Sequence, residues 1–112
     1  MSSNTLVAAT ARPMILALLL SGETYGYQIL KRIRTVSGGT IRWSSAMLYP
    51  VLRRMEDEGL IRSDWRMSEK HRMRKYYILT DRGREEMEAE KAKWSSIQKA
   101  MKRMWDMAEA AE

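Results

Sequence analysis

Cysteine is absent from the 112 residues. Without it there is no disulfide framework, no thiolate nucleophile and no cysteine-based zinc site, which fits a reducing compartment. His71 is the single histidine, too little for a metal site, and no HExxH, GxGxxG, CxxC or glycine-rich phosphate loop occurs. Long hydrophobic runs are also missing. The longest, Pro13 to Leu20, has eight residues, against roughly 20 needed to cross a bilayer. It lacks a Lys/Arg-rich lead and a small-residue cleavage site, so the expectation is a soluble, cytoplasmic chain with no membrane partner. So short a chain builds one compact domain with a small core and at most one appended element, which excludes a multi-domain enzyme. Acidic residues such as Glu56, Asp57 and Glu58 look like solvated helix faces or ends, and paired-carboxylate or two-metal chemistry needs a concavity that this length barely supplies. No enzymatic activity, no cofactor and no metal are expected.

Basic charge, by contrast, is abundant. Lys and Arg number 20 against 14 Asp and Glu, a formal +6, while 45% of residues are apolar, too many for a disordered polycation. The bias is local. Residues 1–80 carry 13 basic and 6 acidic side chains, whereas residues 81–112 carry 7 and 8. Residues 62–75 alone hold Arg62, Arg66, Lys70, Arg72, Arg74 and Lys75 against Asp64 and Glu69. Such a patch suits a polyanion, because contacts with phosphates release condensed counterions. An acidic protein or a membrane surface would be attracted too.

The first nine residues carry no charge and no periodicity, and are expected to be loosely held. A buried helix is expected over Arg12 to Leu20, with Thr10 as its cap and Pro13 in its first turn. A second should run from Thr24 to about Val36 on Tyr27, Leu30 and Ile33 or Arg34, stopped by Ser37-Gly38-Gly39. Ser44 or Ser45 can cap a third, ending at Glu58 with Gly59 in the left-handed position. Its Leu48, Leu52 and Met55, supported by Val51, form an inward stripe, while Tyr49, Arg53 and Arg54 lie elsewhere on the wheel. Pro50 makes the first turn irregular or bends the helix. Leu60-Ile61-Arg62, Trp65-Arg66-Met67 and Arg74 to Thr80 are extended pieces, with Ser68 to Met73 a polar, basic hairpin tip.

Thr80-Asp81 then caps a last helix of about 28 residues, roughly 42 Å long. Its apolar positions, Met87, Trp94, Ile97, Met101, Met104 and Ala108 with Trp105 beside them, recur in steps close to the 3.5 residues of a coiled-coil seam. Tryptophan on an unsupported helix needs a partner, and a second copy of the chain is the simplest one.

Three helices, a basic hairpin and a long helix fit a helix-turn-helix unit whose third helix enters the major groove of double-stranded DNA, with the hairpin as wing. The fold class is therefore α+β, mostly α: a winged helix-turn-helix over residues 10–80 and a C-terminal dimerisation helix over residues 81–110. Arg53 or Arg54 suits bidentate reading of guanine, Ser44 or Ser45 a phosphate or base edge, and Tyr49 a phosphate or a thymine methyl. Lys70, Arg72, Arg74 and Lys75 would neutralise backbone charge or enter the minor groove, and His71 in the tip suits a phosphate or solvent. Taken singly, Tyr49 has closing the core as its lesser alternative, and the arginines could equally be a solvated helix face.

Three segments, Tyr25-Gly26-Tyr27-Gln28-Ile29, the run from Ser45 through Leu48-Tyr49-Pro50 to Ile61, and Arg74 to Gly83, together resemble the PadR family of bacterial and archaeal transcriptional repressors, in its compact form with one long C-terminal helix. The resemblance spans most of residues 12–87. It implies a homodimeric winged-helix repressor, with the family's DNA-binding pattern falling on Ser45, Tyr49, Arg53 or Arg54 and the basic wing. It also implies that Tyr25 and Gly26 serve folding, the glycine allowing close packing, with Tyr27 buried. Where relatives carry Gly or Gly-Thr before Leu-Tyr-Pro, this chain has Ser45-Ala46-Met47, so operator preference does not transfer. In compact relatives a tryptophan of the long helix lines a cavity at the dimer interface and stacks on flat hydrophobic ligands. Trp94 is the matching residue here, and Ile97 and Met101 would complete a site for a small planar hydrophobic effector. Trp105 could be interface filler. The rival expectation is a dimer that carries small molecules and binds DNA weakly or without sequence preference.

Overall fold

Apolar side chains spaced three and four apart on successive helices converge on one core, and the hairpin closes it from the side. A computed structural model of the chain describes residues 3–111. In chain order these form α1 (Ser3–Leu20), β1 (Thr24–Tyr25), α2 (Gly26–Val36), α3 (Ser45–Asp57), β2 (Ile61–Met67), β3 (Met73–Leu79) and α4 (Asp81–Ala111). Ile15, Leu16 and Leu19 of α1 meet Ile29 and Ile33 of α2, Leu48, Leu52 and Met55 of α3, and Ile61, Tyr77 and Leu79 of the sheet. Met87 of α4 completes the cluster.

Several local expectations change. Of the nine residues expected to be loose, those from Ser3 onward belong to α1, and the first two lie outside the described residues. Thr10 is consequently not a cap, and Pro13 sits inside the helix. Alanine at positions 8, 9 and 11 favours helix without any amphipathic signature. Thr24 and Tyr25 are not helical but form β1, antiparallel to Tyr77 and Tyr76 of β3. The two extended pieces around Ser63 and Asp64 are one strand, paired from Ile61↔Leu79 to Met67↔Met73, giving the sheet order β1-β3-β2. The buried stripe of α2 is Gly26, Ile29 and Ile33. Tyr27 therefore turns outward and is 66% exposed, not buried.

Other expectations hold. Ser44 is the N-cap of α3, its Oγ accepting from the Met47 N–H at 3.2 Å; Pro50, expected to disturb the first turn or bend the helix, lies inside one continuous α3. Thr80 caps α4: its Oγ1 donates toward the Leu60 and Gly59 carbonyls and accepts from the Gly83 N–H at 3.0 Å. A Cβ at position 83 would collide with the Leu60 carbonyl, so glycine lets α4 start flush against β2. Arg12, the only charge in α1, stands 3.2 Å from Glu58 at the end of α3 and 3.8 Å from Glu86 of α4. Three helices are thereby tied together at one point.

Candidate nucleic-acid interface

Burying Leu48, Leu52 and Met55 fixes how α3 is rotated. Ser44, Ser45, Ala46, Tyr49, Pro50, Arg53 and Arg54 are all left exposed. Among the described residues, Arg53 and Arg54 enter no ion pair. Consecutive helical residues diverge by about 100°. Arg53 thus follows Tyr49 one turn along the same strip, while Arg54 is rotated further round. Ser44 already uses an acceptor lone pair in capping, which leaves its hydroxyl proton for an incoming anion.

The ring of Tyr49 is 45% exposed and leans over Gly26. It shares a cleft of about 700 Å³ with Tyr25, Tyr27, Trp65, Arg72, Arg74 and Lys75. The cleft lies between the start of α2, α3 and the hairpin, so that aromatic rings and cations line one concavity. Tyr77 forms its floor, and burial, aided by the nearby Tyr49 and Glu56, pushes its phenol up to about 12.

The hairpin sorts its cations into two groups. Lys70 and Arg72 flank the tip and are exposed. His71, between them, takes a left-handed backbone with φ of 57°, and Ser68 closes the turn by accepting from the Arg72 N–H at 3.2 Å. Arg74 and Lys75 are half-buried. Arg74 stacks on the Tyr25 ring at 4.3 Å, and Lys75 lies 3.9 Å from Glu56 and 5.8 Å from the centre of the Tyr77 ring. Arg66, the cross-strand partner of Arg74 and so on the same face of the sheet, chelates Glu23 and holds Asp64 at 3.2 Å. That hydrogen bond to Arg66 lowers the Glu23 carboxyl below its usual range, and the same pairing raises Arg66. Arg66 fastens the hairpin to the turn before β1 and is a structural cation.

Trp65, Tyr25 and Tyr27 were not expected at this surface. Only Trp65 left a signal in the sequence, since it alternates with Ile61 and Ser63 and so shares their face of β2. The rings of Tyr25 and Tyr76 meet edge to face at 5.5 Å, which accounts for Tyr25 as a folding residue.

A profile of the Transcriptional regulator PadR-like family matches residues 15–89. The chain belongs to this family. A PadR family transcription regulator from Clostridium difficile is 32% identical, with 83% of this chain and 95% of that one covered and a TM-score of 0.74. A PadR-like transcriptional regulator from Bacillus cereus is 27% identical, with coverages of 89% and 95% and a TM-score of 0.79. A transcriptional regulator from Clostridium thermocellum is also 27% identical, covering 88% and 96% with a TM-score of 0.78. The fold is accordingly a PadR-like winged helix with a long C-terminal helix, and the function is regulation of transcription, which is not an enzymatic role. Among the described residues no helix is long and apolar enough to cross a membrane, and no group of His, Asp and Glu is placed to hold a metal ion.

The long helix of this PadR-like chain leaves the core after Met87. Met87 is itself closed off within the chain's own core; among the described residues beyond it Glu90 is half-buried and the rest lie on the surface. Trp94, Ile97 and Met101 are about two-fifths exposed, and Met104, Trp105 and Met107 considerably more. Ala108 is exposed as well. The Trp94 indole donates to Glu90 Oε2 at 3.0 Å. Its ring borders an apolar groove of about 580 Å³ between α1 and α4, with Pro13, Met14, Ala17, Leu20 and Met87. Ile97 and Met101, expected beside Trp94, do not line this groove.

Proposed function

We propose that the chain is a homodimeric, sequence-specific DNA-binding repressor of transcription whose operator affinity is lowered by a small planar hydrophobic effector. Residues 10–80 form the DNA-binding unit and residues 81–110 the dimerisation helix. The observation that carries this reading is the exposed strip of Tyr49 and Arg53 on α3, with Tyr49 sharing a cleft with Arg72 of the wing, and with Arg53, Lys70 and Arg72 entering no ion pair among the described residues. Ser44, Ser45, Arg54, Arg74 and Lys75 flank it. Two such helices, related by a two-fold axis, enter successive major grooves with half-site centres about 34 Å apart or a multiple of that.

Dimerisation is supported by the row of Trp94, Ile97, Met101, Met104, Trp105 and Ala108, whose apolar surface this chain leaves uncovered. Met87 steadies the base of that row from inside the protomer. The groove beside Trp94 supports the effector: apolar walls and one indole face suit a flat hydrophobic molecule. Such a molecule shifts the spacing of the recognition helices by acting at α4, a coupling of about 1–3 kcal/mol.

A gel-shift competition between the DNA upstream of this chain's own gene and unrelated DNA, at about 150 mM salt, tests the reading. Preference for the upstream DNA, with a symmetric footprint, is expected. Equal affinity for both overturns specific repression. Quenching of tryptophan fluorescence by a flat hydrophobic dye with no change in DNA affinity favours a carrier dimer instead.

A further inference from the structure

One face of the β2–β3 hairpin changes character along its length. Side chains alternate across a strand, so Ile61, Ser63, Trp65 and Met67 share a face with their partners Leu79, Tyr77, Lys75 and Met73. Near the helices this face is core: Ile61, Tyr77 and Leu79 are buried. Two residues further out the helices end and the apolar character does not. Trp65 is 60% exposed, Met67 60% and Met73 53%. Three large apolar side chains thus stand uncovered on a wing whose exposed rim carries the cations Lys70 and Arg72. Trp65 also lines the cleft that holds Tyr49 and Arg72, so the apolar row opens toward the recognition side of the molecule.

We infer that Trp65, with Met67 and Met73, is an apolar contact to the deoxyribose walls of the minor groove flanking each half-site, on the same duplex that α3 reads. This rests on the DNA-binding function proposed above. The cationic rim selects a polyanion over a neutral protein surface. The C–H surface of the sugars is what an indole face and two thioether side chains can cover, the indole N–H having phosphate oxygens at the groove edge to donate to, and apolar side chains are recurrent minor-groove contacts. The contact supplies affinity that is independent of counterion release, and it senses groove width and deformability at positions where α3 makes no base contact.

The experiment is hydroxyl-radical footprinting of the sugars, dimethyl sulfate methylation footprinting of guanine N7 and anisotropy titration on the upstream DNA fragment across a salt series, comparing the parent chain with Trp65→Ala, Trp65→Phe and Arg72→Ala. Trp65→Ala is expected to weaken binding about tenfold, as for loss of roughly one well-covered apolar side chain. It should do so by the same factor at every salt concentration and should remove sugar protection in the flanking minor groove, while guanine N7 protection in the major groove persists. Trp65→Phe retains most of the affinity. Arg72→Ala instead lowers the slope of log affinity against log salt by about one. Met73→Ser should reproduce the Trp65→Ala signature in miniature, and it decides the matter if Trp65→Ala does not fold. Parent-like affinity with complete sugar protection in Trp65→Ala and Met73→Ser overturns the inference and leaves the patch to a protein partner. Failure of the parent chain to prefer the upstream DNA overturns the reading beneath it.

Discussion

The phenol ring of Tyr49 rests on the bare Cα of Gly26. A Cβ at position 26 would stand 2.7 Å from Tyr49 Cζ and 2.9 Å from Cε1, and closer still to the hydroxyl oxygen. The first residue of α2 therefore sets where the most prominent aromatic of α3 can lie. Gly26→Ala is expected to force the ring outward at a cost of about 1–3 kcal/mol, the usual range for overpacking. In a Tyr49→Ala background the same change should become neutral or stabilising, because alanine is the better helix former by about 1 kcal/mol. Urea denaturation of the four proteins of this double-mutant cycle measures the coupling.

Arg53 and Arg54 should separate in function. Arg53→Ala, on the strip of Tyr49, is expected to relax base preference at one operator position by about 1–3 kcal/mol. Arg54→Ala, rotated further round, should weaken binding to all sequences alike. Titrations against operators substituted at single positions distinguish the two outcomes.

Placing a carboxylate in the uncovered row of α4 tests the dimer. Ile97→Glu is expected to weaken self-association by about tenfold or more, since an unpaired charge would be buried where an apolar side chain of about 1.5–3 kcal/mol had been. Sedimentation equilibrium reports the monomer fraction. The fold of residues 10–80 should melt unchanged, because Ile97 touches none of the core cluster.

Tyr77 gives stability a distinct alkaline limb. Its phenol is pushed up from 10.0 to about 12, chiefly by burial, so the folded state binds this proton more tightly than the unfolded chain does. The contribution is complete below pH 10 and is lost as pH rises toward 12. The parent chain should lose more stability across that window than Tyr77→Phe, as read by denaturation midpoints at successive pH values.

Glu23 acts in the opposite sense. Its hydrogen bond to Arg66 lowers the carboxyl below 4.5, so the contribution is present above that pH and disappears on acidification through the lowered value. The group is solvent-facing, and the effect of Glu23→Gln should be correspondingly small and sensitive to salt.

Periodicity, caps and charge in the amino-acid sequence determined the third helix with its Leu48, Leu52 and Met55 stripe, the Ser44 and Thr80 caps, the basic hairpin and the long apolar-striped tail. Each of these is a local pattern whose physics is complete within a turn or two of chain. What only the tertiary structure decided depends on partners distant in sequence. Tyr27 faces solvent because Gly26, Ile29 and Ile33 take the inward side of α2. Thr24 and Tyr25 became a strand because the edge of β3 offered them hydrogen bonds. Lys75 turned toward Glu56 and Tyr77, and Trp65 was left bare because the helices covering its face of the hairpin stop two residues short of it. Those outcomes come from competition for a finite core and for unpaired backbone groups, which no local window of sequence contains.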